Sequence, residues 1–229
     1  MLVLLYNLVR LKFIFMKKNF ELPEKIPVFP LSNFIIFPNT TVPLNIFEPR
    51  YIQMVNDCMK GNRLIGMIQP KKTGSLKKPN LYSTGCVGKI TSFNETEDGR
   101  YLIVLNGVCR YEIISELETD KLYRECKIDF GKYSNDLEGA KEEINFSDLK
   151  LIFSDLKNLF KKQGYIINWK DVEKQSLDQT INTLSMASPF ALEEKQILLE
   201  TKDLTERKKA LEDILNTYTN DNFTSRTIQ

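Results

Sequence analysis

The pattern of apolar and polar positions divides the chain into a β-patterned first half and a helix-patterned second half. Short apolar runs bounded by proline, glycine and asparagine recur within residues 25–133, and one of them, residues 122–130, alternates between apolar and charged side chains. Within residues 147–218 the apolar residues recur at helical spacing instead. The pattern therefore predicts an α+β fold in which a β-rich domain is followed by a helical bundle.

The β-rich part is predicted to be an antiparallel meander that forms a small, partly closed barrel or a two-layer domain, because open strand edges have to be hidden. Asp98-Gly99 predicts the turn of a hairpin, and Asn106-Gly107 repeats that turn signal directly afterwards. The first apolar runs of this part are residues 26–31, 34–38, 42–47 and 64–68.

One helix interrupts the β pattern where a strand ends at Phe47. Pro49 suits a first helical turn, and Glu48 places a negative charge at the positive end of the helix dipole. Arg50 and Tyr51 follow, so this corner contains two aromatic residues, Phe47 and Tyr51, and two oppositely charged residues, Glu48 and Arg50. The more ordinary interpretation is a structural corner with Phe47 in the core and Glu48 or Arg50 ion-paired. The alternative is a docking surface for a polypeptide, since aromatic residues and arginine carry most interface energy.

Capping residues mark the helices of the second half. Gly164 is predicted to end the first helix, which Ser147 would cap at its start. Ser188 followed by Pro189 predicts a cap and a first-turn proline, and Asp203 predicts the cap of the last helix.

The remaining segments are assigned by composition. Residues 134–146 are polar and charged, which predicts a linker, and residues 219–229 are predicted to be a frayed tail. Residues 1–24 are an N-terminal extension whose apolar run is too short to span a bilayer and lacks the features of a signal peptide. Because Met16 would begin an ordinary soluble N-terminus, we expect the true start to lie there, and N-terminal sequencing tests this.

Composition restricts the chemistry. The 229 residues carry a formal net charge of +2, which gives no global bias toward nucleic acid or anionic membranes. The chain has no histidine, the commonest general base and transition-metal ligand. Its 4 cysteines are widely spaced without a C-x-x-C pair, which argues against a disulfide framework and a zinc site and predicts a reduced, cytoplasmic compartment. The sequence thus predicts a protein without metal or cofactor.

No motif for catalysis or nucleotide binding is recognised in the sequence. Gly61 and Gly66 have the spacing of the P-loop glycines, but the lysine and the hydroxyl residue that bind phosphate and magnesium are missing. No serine or cysteine occurs in a motif that defines a nucleophile with its acid and base. The chain is therefore predicted not to be an enzyme.

The basic stretch at residues 71–80 is the candidate for nucleic-acid binding. Lys71, Lys72, Lys77 and Lys78 would contact phosphates, but neither arginine nor aromatic residues are interleaved with them. This composition therefore favours a solvated loop over a phosphate-binding site.

Several short segments follow one another in a characteristic order. They include the corner at residues 43–51, the segment at residues 65–70, Gly107-Val108-Cys109-Arg110-Tyr111, and Ser188-Pro189-Phe190. In this order they resemble the N-terminal, substrate-binding domain of the Lon protease family, and the resemblance extends from Ile26 to Leu215. It implies a PUA-like pseudo-barrel followed by a helical bundle. It also implies polypeptide recognition without proteolysis, because the ATPase and protease modules of the full protease have no counterpart here.

The function predicted from these observations is a non-catalytic module that binds exposed apolar segments of unfolded polypeptides. The candidate site is Phe47, Glu48, Arg50 and Tyr51, with strand addition to an open sheet edge as an assisting contact. One alternative is an RNA-binding PUA-like module, whose affinity would fall steeply with salt. Another is an adaptor for one folded partner, such as a protease or chaperone. The oligomeric state is open, a homo-oligomer included, and no membrane association is predicted.

Overall fold

The computed structural model describes residues 22–75, 78–138, 149–166, 168–172 and 174–224, with side chains up to residue 218. Apolar runs of the first half form a six-stranded sheet, which confirms the predicted β-rich part. The strands are β1 (Lys25–Pro30), β2 (Thr41–Ile46), β3 (Leu64–Gly74), β4 (Pro79–Glu95), β5 (Tyr101–Leu117) and β6 (Arg124–Asp129).

All strands except β2 close into a ring. β1 pairs in parallel with β3, and the pairs β3–β4, β4–β5, β5–β6 and β6–β1 are antiparallel. This closure agrees with the predicted barrel. The parallel β1–β3 pair departs from a simple meander, because the helix between β2 and β3 serves as the crossover that parallel neighbours require.

Strand β2 extends the sheet outside the ring. It pairs with the first part of β5, from Thr41 opposite Asn106 to Ile46 opposite Tyr101. Its other edge has no strand partner among the described residues. Pro43 lies in the middle of β2 and has no N–H to donate, which makes this edge a poor template for an added strand.

The helix that follows β2 is α1 (Pro49–Met59), and Pro49 occupies its first turn as predicted. The buried side chains of α1 are Tyr51, Met54, Val55 and Cys58. In the sequence, the helical spacing of Ile52, Val55 and Met59 predicts an apolar stripe on this helix. The buried side chains lie one position earlier in the chain, at Tyr51, Met54 and Cys58, because Tyr51 packs into the core.

The second half is helical, as predicted. Asp203 caps the last helix, since its Oδ1 accepts the N–H of Glu206 at 2.8 Å, and Gly164, with φ +74°, follows the first long helix. The helices are a 3-10 turn (Gly131–Tyr133), α2 (Asn135–Glu138), α3 (Lys150–Lys162), α4 (Trp169–Val172), α5 (Leu177–Ala187), α6 (Leu192–Glu200) and α7 (Leu204–Thr224).

The structure bears on three sequence-based assignments in this half. Ser188 does not cap α6, because its hydroxyl donates to the carbonyl of Leu184 at 2.6 Å and so closes the end of α5, while Ala191 precedes α6. The segment predicted as a linker begins with α2, whereas residues 139–148, with the expected Ser147 cap, lie outside the described residues. Helix α7 continues past the predicted end at residue 218.

The larger of two buried apolar clusters is shared by the barrel and the helices, and the second consists of strand residues. Phe37 and Leu105 from the β-rich part belong to the same buried cluster as Leu198 and Leu211 from the helices. Gln69 on β3 donates a hydrogen bond to the carbonyl of Leu192 at 3.1 Å, which crosses the same boundary. The two parts identified in the sequence are thus packed directly against each other.

Residues 35–38 are buried and Phe34 is partly buried, as an apolar run should be, but this segment forms a loop and not a strand. This loop explains why the second predicted turn is wrong. Strand β5 continues through Asn106-Gly107 with a register shift at Val108, and a Cβ on Gly107 would lie 1.9 Å from the carbonyl oxygen of Phe37. Gly107 is needed because the loop approaches the strand so closely, and the strand does not turn there.

Candidate functional site

The four residues of the predicted corner lie in two different environments. Phe47 is 65% exposed, whereas Tyr51 is 5% exposed and packs on Phe29, with ring centroids 4.2 Å apart. Glu48 and Arg50 form an ion pair of 2.7 Å on the surface. The interpretation as a structural corner is right about the ion pair and wrong about Phe47, which is outside the core.

Local geometry separates the two aromatic rings. Side chains alternate along a strand, and Ile46 is buried, so the chain turns Phe47 to the opposite side. Tyr51 lies in the first turn of α1, on the face that also buries Met54 and Val55. Only Phe47 of this pair is therefore available for a contact with another molecule.

The strand register places further apolar side chains beside Phe47. Asn45 lies opposite Leu102, which lies opposite Asn94, and the next outward row is Pro43, Val104 and Ser92. Leu102 is 44% exposed. Neighbours on one face of paired strands are within contact distance of one another. This outward surface, called the Phe47 face, comprises Pro43, Asn45, Phe47, Ser92, Asn94, Arg100, Leu102 and Val104.

Charged groups border this surface at one end. The Arg100 guanidinium carbon lies 5.9 Å from the centroid of the Phe47 ring, and Arg100 also pairs with Asp98 at 2.9 Å. The hydroxyl of Thr96 donates to Asp98, which lowers the pKa of that carboxyl. Arg50 lies over the ring of Tyr51, with 4.5 Å between the guanidinium carbon and the ring centroid. Both arginines next to Phe47 are thus held in place by a carboxylate.

The predicted basic loop is a hairpin instead. Lys71 and Lys72 belong to β3, whose Gly74 pairs with Pro79 of β4, while Lys77 lies outside the described residues. Strand pairing fixes the position of the hairpin, and each described lysine on it lies next to an acidic or aromatic side chain of the same chain.

Two of these lysines form ion pairs with glutamates. Lys72 pairs with Glu193 at 2.7 Å, which raises the pKa of Lys72, and Lys78 pairs with Glu116 at 2.8 Å. Lys71 lies over the Tyr82 ring at 5.4 Å from its centroid. A phosphate would have to replace two carboxylates here, which weakens the nucleic-acid interpretation.

Groups suited to metal binding or nucleophilic chemistry are scarce in the described part of the chain. It contains no cluster of three or more histidine, cysteine, aspartate or glutamate side chains that would hold a metal ion. The four cysteines are buried, and burial raises the pKa of Cys58 to about 12 and that of Cys126 to about 11. Such thiols are poorly ionised and unreactive near neutral pH. No helix within the described ranges has the length and apolarity needed to cross a membrane.

Sequence reasoning missed Leu102 and Val104. The signal was present in the sequence, because Tyr101-Leu102-Ile103-Val104-Leu105 is apolar at every position and not only at every second one. Tyr101, Ile103 and Leu105 are buried, so the other two are apolar without facing the core. An unbroken apolar run in a sheet with one exposed face is an indicator of a contact surface.

The closed barrel and the helices packed on it define an α+β domain of the PUA-like type with an appended helical bundle. The family model of the ATP-dependent protease La (LON) substrate-binding domain matches residues 25–217, and the chain belongs to this family.

Curated relatives are much longer than this chain. It is 27% identical over 200 residues to the Lon protease of Flavobacterium johnsoniae, a match that covers 82% of this chain and 23% of that protein. It is 29% identical over 203 residues to the Lon protease of Parabacteroides distasonis, with 84% and 24% covered. The chain thus spans about a quarter of the length of these relatives.

Solved structures support the fold. The chain is similar to a Lon N-terminal domain protein from Xanthomonas campestris, with a TM-score of 0.58 and 19% identity over 84% of this chain and 97% of that one. The N-terminal domain of Mycobacterium avium complex Lon protease gives a TM-score of 0.58 at 16% identity, with 84% and 98% covered. Nearly the whole of each solved domain is therefore matched.

Proposed function

We propose that this chain is a non-catalytic module that captures exposed apolar segments of polypeptides on the Phe47 face. Membership in a substrate-binding domain family supports the general role. The observation that carries the specific site is the 65% exposure of Phe47 beside Leu102, on a sheet whose opposite face forms the core. Large apolar side chains grouped on a surface are typical of sites that bind other macromolecules.

The chemistry of this surface fits an extended segment. The apolar side chains of Pro43, Phe47, Leu102 and Val104 would bury side chains of the bound polypeptide, and neighbouring Asn45 and Asn94 amides would donate to and accept from its backbone. Strand addition to β2 contributes little, because Pro43 interrupts that edge. The bound segment would therefore lie across the face and contact it mainly through side chains.

The expected affinity is modest. Phe47 and Leu102 are 65% and 44% exposed. Covering the exposed part of both would contribute roughly 2 to 3 kcal/mol, from which the ordering of the segment has to be subtracted. Weak, rapidly reversible binding of this kind suits a module that samples unfolded chains and releases them.

The four corner residues have separate roles in this proposal. Phe47 is the anchor, and the Glu48–Arg50 ion pair forms a polar rim beside it. Tyr51 supports the corner from within the core and does not touch the bound segment. Because the relatives are Lon proteases of which this chain covers about a quarter, we propose that captured chains are passed to a separate protease or chaperone.

Equilibrium binding of a fluorescent, permanently unfolded polypeptide to the purified chain tests the proposal across a salt series. We expect saturable binding that changes little with salt, and a loss of about tenfold in affinity for Phe47→Ala. Ile197→Ala is the matched control, because Ile197 is 54% exposed on α6, where the neighbouring Gln196 donates to the carbonyl of Thr84, ten residues along β4 from Asn94 of the Phe47 face. Its binding should equal that of the wild type.

Two results would contradict the proposal. If no unfolded polypeptide binds at any salt concentration, the module does not capture such segments and the adaptor alternative gains support. If binding instead requires nucleic acid and falls steeply with salt, the phosphate-binding alternative is favoured, because counterion release produces that dependence.

A further inference from the structure

The hairpin that joins β4 to β5 carries more negative than positive charge next to the Phe47 face. Asp98 and Arg100 pair with each other, as Glu48 and Arg50 do. The same hairpin also carries Glu95 and Glu97, both exposed, and Glu95, which lies opposite Tyr101, points to the other side of the sheet from the Phe47 face. Neither makes a side-chain hydrogen bond or an ion pair with the part of the chain that the structure describes. After the two pairs cancel, two negative charges remain at this end of the sheet, and they act on the Phe47 face through their electric field.

These two charges are close enough to Phe47 to act on a bound segment. Arg100, three residues from Glu97 in the chain, already lies over the Phe47 ring. The tip of a tight hairpin at Asp98-Gly99 keeps Glu95 and Glu97 beside Arg100, since the N–H of Thr96 donates to the Arg100 carbonyl at 2.9 Å. At low ionic strength, about 10 mM, charges interact over roughly 30 Å, which exceeds the span of this hairpin tip.

We infer that the Phe47 face selects apolar segments that carry lysine or arginine next to the apolar residues. This inference rests on the proposed function and narrows its substrate class. The apolar side chains supply the affinity of the contact, and the uncompensated carboxylates of Glu95 and Glu97 supply a preference among segments of equal apolarity. Acidic segments would be repelled by the same two groups.

Three peptides of one length test the inference. Each has a central Leu-Val-Phe-Leu sequence, flanked on both sides by two serines, two lysines or two glutamates. At about 20 mM salt we expect the lysine-flanked peptide to bind on the order of threefold to tenfold more tightly than the glutamate-flanked peptide. The serine-flanked peptide should lie between them. At about 300 mM salt the ratio should approach one, because the Debye length is then shorter than the distances involved.

Two double variants locate the source of the preference. Glu95→Gln with Glu97→Gln removes the two charges and should abolish most of the ratio while leaving the affinity for the serine-flanked peptide unchanged. Glu118→Gln with Asp120→Asn makes the same change in net charge at exposed positions beyond the other end of β5, and it should keep the wild-type ratio.

The outcomes separate the two proposals. A ratio near one at low salt, or a ratio that survives Glu95→Gln with Glu97→Gln, overturns the charge preference while the binding of the serine-flanked peptide still supports polypeptide capture. If none of the three peptides binds, polypeptide capture itself fails, and the charge preference fails with it.

Discussion

Arg110 and Asp136 form a bidentate ion pair in the interior, with side chains that are only 3% and 10% exposed. Arg110 Nε and Nη2 donate to the two carboxylate oxygens at 2.9 and 2.8 Å, and the Arg110 backbone N–H donates to the same carboxylate at 2.9 Å. The guanidinium also donates to the carbonyls of Leu199, Thr201 and Lys202. One cation therefore joins the barrel strand β5 to α2 and to the connection between α6 and α7.

The first prediction concerns this ion pair. Asp136→Asn should reduce the free energy of unfolding by roughly 3 to 5 kcal/mol, because it leaves the buried Arg110 charge uncompensated. Urea denaturation followed by circular dichroism measures the change. Asp120→Asn, at an exposed position, should stay within about 0.5 kcal/mol of the wild type.

A double variant separates the destabilisation caused by one unpaired buried charge from the contribution that the intact ion pair makes to the free energy of unfolding. Replacing both partners, as in Arg110→Met with Asp136→Leu, should cost clearly less than the sum of the single replacements. If the double variant were as unstable as that sum, the hydrogen bonds from Arg110 to the helix carbonyls would be the dominant contribution instead of charge compensation.

Most of the helices and strands could be predicted from the sequence, because the residues that mark their ends lie close together in the chain. Asp98-Gly99 predicted a hairpin turn that the structure confirms, and Asp203 predicted a helix cap that it also confirms. The cap predicted at Ser188 is wrong. A serine before a proline can cap the following helix, but its hydroxyl can equally donate to a carbonyl of the preceding turn, as it does here. Choosing between these two requires the position of the neighbouring helix, which is tertiary information.

The candidate site was predicted less completely for the same reason. Phe47 and Tyr51 are equally apolar in the sequence, and only the packing of Tyr51 against Phe29 shows which ring is buried. Leu102 and Val104 join the surface through strand pairing with β2 and β4. Strand pairing depends on contacts between residues far apart in the chain, and a single sequence does not display them.

The second prediction concerns the close approach at Gly107. Gly107→Ala should destabilise the fold by roughly 3 kcal/mol or more, because a Cβ there would lie 1.9 Å from the Phe37 carbonyl oxygen and the backbone would have to move. Gly61→Ala is the control, since its Cβ would meet nothing closer than 3.8 Å. Thermal unfolding measures both. Equal melting temperatures for the two variants would show that the 34–38 loop yields without cost.

The third prediction separates the two aromatic residues of the corner by their effect on stability. Tyr51→Ala should cost about 3 to 5 kcal/mol, because it leaves a cavity next to Phe29. Phe47→Ala should cost less than about 1 kcal/mol, since Phe47 is 65% exposed. Chemical denaturation checks both values. A large loss of stability in Phe47→Ala would mean that the exposed ring supports the fold, and binding losses in that variant would then need a different explanation.

The last prediction concerns alkaline pH. The Tyr123 hydroxyl donates to Asp57 at 2.9 Å. Burial, the largest cause, and the hydrogen bond to Asp57 together raise the pKa of Tyr123 to about 12, against the opposing effect of Lys121. The unfolded chain releases this proton at about pH 10. Because the folded state holds the proton more tightly, its contribution to stability is complete below about pH 10 and is lost as the pH rises toward 12.

Tyr123→Phe removes the titrating group and so isolates its contribution. Urea denaturation of both proteins between about pH 9 and pH 12 should show a steeper fall in unfolding free energy for the wild type than for Tyr123→Phe. Tyr51 and Tyr218, whose pKa values burial also raises, are present in both proteins and therefore cancel in the comparison. Parallel curves would show that Tyr123 titrates alike in the folded and unfolded chains, and the hydrogen bond to Asp57 would then contribute nothing to stability that depends on pH.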